Sequence, residues 1–436
     1  MTKDNLLTKN FEKFIQNNQN IFDKNIIALG ISGGPDSLAL AIIANKFKIK
    51  YNYKLIAFTV NHQIRKESKK EAVFVKNIMH QLGIEHHTLL WTEIKPITKL
   101  QESARIARYN LLGKACNKYQ CKYILLAHHA DDQVETLIIR LEANSGMDGL
   151  ACMQENTKIL TSSGTVNLIR PFLNNRKKEL IKICEINKLN WVKDPSNINM
   201  KYSRSKIRKL LVKSNVYSDF NESILLFSRL KFRLDKIIFD YMKNSIEFGD
   251  IGICKLSLYK FKKLPFVFQK KLLNKLIQLI GGKKYPRKSI IITRLTENLI
   301  NENTKNTTVG GVYIQYNNDF IIMSRQLDNS IKINKIVNLS TLWDRRFIIN
   351  NKTKELNITI GPLGEKDYLL MIKLNKIKKP SIHFNAIKTL PTIRLLEEIV
   401  SVPHLLYWKS NFWKKNINIT HVEDDLFKKY SNINIY

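Results

Sequence analysis

The chain has 436 residues, 44% of them hydrophobic and 25% charged, and carries a formal charge of +35 at neutral pH. Such a length exceeds one typical core and suggests two or three domains. No run approaches the ~18 apolar residues of a membrane span, Met1 to Lys24 lacks the apolar stretch of an export signal, and five cysteines without a CxxC pair count against a disulfide framework, a zinc ribbon or a redox centre. A soluble cytoplasmic protein with buried thiols is therefore expected, with no membrane partner.

The positive charge points to a polyanion such as nucleic acid. Part of it is compositional, because Lys, Asn and Ile are abundant together, as an AT-rich genome makes them. Clustering is the informative part: residues 251–296 contain twelve Lys or Arg and no Asp or Glu.

In chain order, Ile26 to Ile31 is a continuous aliphatic run, as in a strand buried on both faces, and Ser37 to Phe47 has the spacing of a helix. Ser32, Gly33, Gly34, Pro35, Asp36 and Ser37 then form a strand-to-helix turn. Its glycines let the backbone approach a ligand, and the helix start presents unpaired N–H groups to an anion. Asp36 would repel a bare phosphate, so a nucleotide with Mg²⁺ fits better. A Walker loop would need a Lys after its last Gly, a dinucleotide fingerprint a third Gly, and a nucleophile elbow Gly two places either side of Ser; none is present. The plainer alternative is a tight turn with a helix cap at Ser32 or Asp36.

Further elements alternate: a strand at Lys54 to Val60, a helix near Ser68 to Leu82, a strand at His86 to Trp91, a helix at Glu102 to Tyr119, a strand at Tyr123 to Ala127 and a helix from Asp131. Alternation implies βαβ units and a parallel sheet with ligands at the carboxyl ends of its strands. Candidate residues fall at those ends. His62 and Arg65 of NHQIR follow the second strand. Arg105 and Arg108 share a helical face, where Glu102 can pair with Arg105, and they border a buried stripe of Ala104, Ala107, Leu111 and Ala115. In AHHADDQVET, residues 127–136, Asp131 is expected as an N-cap. Two His and two acids there admit a metal site, although the spacing matches no HExxH set; Asp132 holding Mg²⁺ or a substrate ammonium is the simpler account. Asp194 to Arg208 is a turn-rich loop into a basic helix, in which Arg204 and Arg208 can converge on one anion.

From about Asn215 to Asn306 the pattern changes to helices with basic faces, and a turn at Gly310 and Gly311 introduces strand-like segments near Val312 to Met323, Ile358 to Ile360 and Leu369 to Leu374. Domains at 1–215, 216–325 and 326–436 are expected: a nucleotide-binding α/β domain, a basic helical domain and a small α+β domain.

SGGPDS between a strand and a helix resembles the pyrophosphatase-type loop of ATP-adenylating enzymes. Together with NHQIR, ESARIARY, AHHADDQVET, DPSN and YSRSKIR in this order, it resembles the tRNA(Ile)-lysidine synthetase family over the first half of the chain. GEKDYL at 364–369 and TLPTIR at 389–394 are loosely similar to the family's C-terminal domain. The resemblance implies an adenine nucleotide α-hydrolase-like fold, ATP with Mg²⁺, and ligation of free L-lysine to the wobble cytidine in the CAU anticodon of tRNA(Ile). It implies that Ser32 to Ser37 hold the ATP phosphates and Mg²⁺ with His62 nearby, that Arg105, Arg108 and Arg204 neutralise phosphate charge, and that Asp132 and Glu135 hold the lysine ammonium, or Asp132 a metal. Arg208 joins the substrate-binding residues. A tRNA thiolase and a noncatalytic RNA-binding protein are the alternatives; the first would call for paired cysteines, the second for decay of the loop acids, and Asp36 and Asp132 are both present.

Overall fold

The computed structural model describes residues 6–64, 67–96, 98, 100–161, 164–192, 207, 211, 217–249, 251–283, 287–301, 306–316, 319–336, 340–353, 355, 357–377 and 384–422. They form two compact units, residues 1–231 and 232–436. Among the described residues no helix is long and apolar enough to cross a membrane.

The first unit opens with helices α1 (Leu6–Asn17) and α2 (Gln19–Phe22), then alternates β1 (Ile26–Gly30), α3 (Pro35–Phe47), β2 (Lys54–Asn61), α4 (Ser68–Gln81), β3 (Glu85–Leu90), α5 (Leu100–Lys118), β4 (Tyr123–Leu125) and α6 (Ala130–Glu142). After a short α7 (Met147–Leu150) come β5 (Asn156–Thr161), β6 (Gly164–Ile169), α8 (Lys177–Ile186) and α9 (Tyr217–Ser245), the last leading into the second unit. The sheet order is β3-β2-β1-β4-β6-β5. All neighbours are parallel except β5, which pairs antiparallel to β6 through a tight hairpin. That edge hairpin extends the expected parallel sheet.

Strand β1 shows why the sheet is central. Ile27 and Leu29 face a core with Leu7, Phe11, Phe22, Leu38, Val75 and Phe172, whereas Ala28 faces the opposite core with Phe58, Tyr109, Leu112 and Leu168. Helices therefore cover both faces, as an all-aliphatic strand demands. The carboxyl ends of β1, β2, β4 and β6 are left to build a site.

In the second unit, the stretch expected to be helical contains a hairpin, β7 (Ile246–Gly249) and β8 (Ile253–Ser257), ahead of helices Leu258–Lys262, Phe266–Ile280 and Ser289–Ile300. Buried Phe248, Cys254 and Leu256 pack on Leu272, Leu276 and Ile280, so the hairpin belongs to the same core as the helices. Strands Val312–Tyr316 and Phe320–Arg325 follow the Gly-Gly turn as expected and pair antiparallel. Leu369 to Leu374 is a correction: the strand expected there falls at the end of helix Glu365–Lys373. Gly364 starts it with a φ of 75°, Glu365 and Asp367 favour the helix dipole in the first turn, and Tyr368 and Met371 bury one face.

Candidate active site

The glycine loop joins β1 to α3. Gly34 is the N-cap of α3, with Pro35 in the first turn, so neither Ser32 nor Asp36 caps it. Gly33 has a φ of 85°, and a Cβ there would lie 2.9 Å from Val75 and 3.1 Å from Val192; both the backbone and the close packing require glycine. The loop is held from within and without. Ser37 Oγ donates to the Gly34 carbonyl (3.0 Å) and accepts from the Ser32 amide (3.2 Å), while the Val192 amide donates to the Gly33 carbonyl (2.9 Å). The first N–H groups of α3 are thus fixed at the helix's positive end, as an anion site needs.

Asp36 lies on the first turn of α3. Its Oδ2 is 3.7 Å from His129 Nε2 and 3.7 Å from Lys177 Nζ, and its buried Oδ1 has no hydrogen-bond partner among the described residues. An anionic oxygen left unpaired in a partly buried place fits a cation such as Mg²⁺ completed by phosphate oxygens, because burying it without compensation is costly. Among the described residues no group of three or more His, Cys, Asp or Glu gathers as a metal site, which sets aside the metal cluster that HHADD allowed. Asp36 is the residue with a buried carboxylate oxygen left open for such an ion among the described residues.

His129 is the N-cap of α6, where the sequence pattern placed Asp131. Its Nδ1 accepts from the Asp132 amide (3.3 Å) and Asp132 Oδ2 accepts from the His129 amide (3.2 Å), a reciprocal capping box. As a capping acceptor Nδ1 carries no proton, so the ring proton sits on Nε2, between Asp36 and Asp132, whose Oδ2 is 3.5 Å away. Burial lowers the His129 pKa, yet the hydrogen bond to Asp36 and the charges of Asp132, Asp36 and Asp131 together raise it. Asp131 serves a different helix. It accepts from the Lys177 amide (2.8 Å) and from the Arg176 guanidinium (3.1 to 3.3 Å), and although burial works the other way, these bonds hold its carboxyl below the usual range. Asp131 therefore fastens the start of α8 to the start of α6. Arg176 also stacks 3.6 Å over the Tyr217 ring.

Glu135, one turn beyond Asp132, is buried. His62 sits at the end of β2, edge-on to Trp91 at 5.7 Å; burial, then Arg108 and Lys95, push its pKa down to about 4. His128, at the end of β4, falls to about 3 through burial and the charges of Arg170, Arg105 and Arg108. Those influences gather both arginines of α5 beside the ends of β2 and β4. Arg105 stacks over Tyr109 at 5.4 Å, and among the described residues it makes no ion pair with Glu102, the partner that the helical spacing allows. Arg65, Arg204 and Arg208, with most of the Asp194 to Arg208 loop, lie outside the described residues.

Two contributors escaped the sequence reading, Lys177 and Arg170. Arg170 follows β6, buried, donating to the Gln154 carbonyl (2.7 Å) and Thr157 Oγ1 (2.9 Å). The RKKEL run with its capping Glu179 was the available signal for the start of α8. The cysteines are free, and all but Cys152 are buried. Cys116 and Cys121 are neighbours: the Cys121 amide donates to the Cys116 carbonyl (2.8 Å), and a thiol hydrogen bond raises the Cys116 pKa and lowers that of Cys121. Cys121 lies just before β4, at the amino end of that strand, whereas the glycine loop follows the carboxyl end of its parallel neighbour β1.

A parallel sheet with an anion-binding loop after its first strand, an acid in that loop and a second acidic turn after the fourth strand defines a PP-loop nucleotide-binding protein, and residues 4–215 match the PP-loop domain family. Nearly the whole chain is similar to the tRNA(Ile)-lysidine synthases of Rickettsia felis (30% identity, 94% of this chain and 96% of the relative), Rickettsia akari (31%, 92% and 95%) and Wolbachia pipientis wMel (31%, 89% and 91%). The chain belongs to the tRNA(Ile)-lysidine synthase family.

Proposed function

We propose that this protein is a ligase that uses ATP to join free L-lysine to C2 of the wobble cytidine in the CAU anticodon of tRNA(Ile). Cytosine O2 attacks the α-phosphorus and pyrophosphate leaves; the lysine ε-amine then attacks C2, loses a proton and expels AMP. No covalent enzyme intermediate is needed, so positioning and charge stabilisation carry the catalysis. The observation that supports this reading best is Asp36 in the loop, with Oδ2 facing the His129–Asp132 pair and buried Oδ1 unpaired among the described residues.

Backbone N–H groups of Ser32 to Ser37 would bind the ATP phosphates. Mg²⁺ held by Asp36 would offset charge on the departing pyrophosphate. Arg105 and Arg108, with Arg204, would stabilise charge on the α-phosphate, and His62, kept neutral, would line the nucleotide side. Asp132 and Glu135 would hold the lysine ammonium, with Arg208 on the RNA side. His129 would keep Asp36 and Asp132 at a fixed separation. In the second unit, the acid-free stretch at 251–296 would grip the tRNA backbone, since phosphate contacts position an RNA without reading it.

Incubation of the full chain with ATP, lysine and tRNA(Ile), followed by nucleoside mass analysis, tests the reading. Lysidine in place of cytidine at the wobble position is the expected product. A sulfur-substituted nucleoside, or an unmodified cytidine with ATP bound, would overturn it.

A further inference from the structure

The glycine loop, Ser32 to Ser37, carries an acid and no lysine, so the loop itself offers the β- and γ-phosphates no mobile cation. One stands beside it in space. Lys177 Nζ reaches to 3.7 Å from Asp36 Oδ2, and the side chain is about one-third exposed, at 34%. We infer that Lys177 is the polyphosphate-binding lysine of this site, paired with Asp36 before the nucleotide arrives and transferred to the β- and γ-phosphates when Asp36 takes the cation that accompanies them. The inference rests on the reading of the loop as an ATP site.

Three features support it. First, the root of Lys177 is fixed. Its amide is held by Asp131 at 2.8 Å, Arg176 clamps the same carboxylate, and α8 packs on the loop, with Cys184 Sγ donating to the Pro35 carbonyl at 3.2 Å. Only the side chain is left to move. Second, Lys177 opens α8, with Lys178 next to it, and a cation on the first turn opposes the helix dipole. Such a placement weakens the helix unless the charge serves something beyond it. Third, the pair with Asp36 is loose. At 3.7 Å and partly exposed it holds little energy, so exchange for a doubly charged phosphate is favourable.

The test compares Lys177→Met, Lys177→Arg and wild-type full-length protein for equilibrium binding of AMPCPP with Mg²⁺ and of AMP, with thermal melting as a check on folding. Removing a charge-assisted hydrogen bond should weaken AMPCPP binding by about tenfold to a hundredfold in Lys177→Met. AMP affinity should stay the same, Lys177→Arg should retain most of the AMPCPP affinity, and melting should be unchanged. A Lys177→Met protein that binds AMPCPP as tightly as wild type, or loses AMP and AMPCPP equally, would overturn the inference. Its failure is separable from that of the proposed function: wild-type protein that forms lysidine while Lys177→Met binds AMPCPP normally leaves the function standing, and AMPCPP binding sensitive to Lys177 without lysidine formation leaves the inference standing.

Discussion

Each unit places an aspartate between two nitrogen-bearing side chains, and the two arrangements differ in how closely they are drawn together. In the second unit Asp344 accepts from Arg325 (3.1 and 3.2 Å) and from Arg346 Nε (2.8 Å), and both arginines are essentially inaccessible. Arg325 directs its remaining N–H groups to the Gly311 and Gln326 carbonyls, Asp328 and Ser330. In the first unit Asp36 stands 3.7 Å from His129 Nε2 and from Lys177 Nζ, and keeps one buried oxygen unpaired among the described residues. Short contacts to a buried carboxylate mark charge that holds a fold together. Longer contacts around an unfinished carboxylate mark charge kept ready for a ligand.

The sharpest consequence is that neutralising the two aspartates should have opposite signatures. Asp36→Asn should reduce lysidine formation by about a hundredfold or more, as expected when metal-assisted charge stabilisation worth several kcal/mol is removed. Stability should move by less than ~1 kcal/mol, because the pairs it breaks are loose and partly exposed, and tRNA binding should persist in a gel shift. Wild-type turnover by this variant would end the assignment of Asp36.

Asp344→Asn should instead leave two buried guanidinium groups undercompensated, at a cost of about 3 to 5 kcal/mol. Buried Trp343 precedes Asp344 and reports on the same core, so its fluorescence in a urea titration should show an earlier transition. If Asp36→Asn destabilised as much as Asp344→Asn, the distinction between open and closed clusters would collapse.

The same distinction explains which features were legible in the sequence. The loop was readable because glycine geometry, an aliphatic strand and a capped helix are local properties; β1 ends at Gly30 and α3 begins at Pro35, within a residue or two of expectation. His129 and Lys177 were not, because their roles arise where the starts of α3, α6 and α8 meet, and Lys177 follows the loop by well over a hundred residues. Nor was the buried knot. Asp344, Arg345 and Arg346 in succession look like a solvated turn until Gly311 and Asp328 are seen to satisfy Arg325 beside them. The helix at Glu365–Lys373 was missed because its continuous apolar run from Tyr368 to Ile372 also suits a buried strand, and the paired Asp367 and Arg394 (2.6 Å), which tie GEKDYL to TLPTIR, are far apart in sequence.

The smallest expected effect lies within the basic stretch, where paired and available charge occur side by side. Lys271 is only 12% exposed and pairs with Asp235 at 2.8 Å. Lys260 and Lys263 stand nearer the solvent, Lys263 lies 4.1 Å over the exposed Tyr259 ring, and Lys270 lies 4.8 Å over Phe266. Lysines resting on exposed rings present both a charge for phosphate and a surface on which a base can stack. Replacing Lys260, Lys263 and Lys270 by Met should therefore weaken cognate and noncognate tRNA alike, and flatten the log–log salt dependence by at most ~0.7 to 0.9 for each phosphate no longer neutralised. Lys271→Met should leave that slope unchanged and lower stability, since it removes the ion pair with Asp235. A filter-binding salt series on both variants decides between phosphate binding and background charge. Equal slopes in the triple variant and wild type would mean that the stretch is only a solvated basic face, and a slope altered by Lys271→Met would mean that the ion pair with Asp235 opens to meet the RNA.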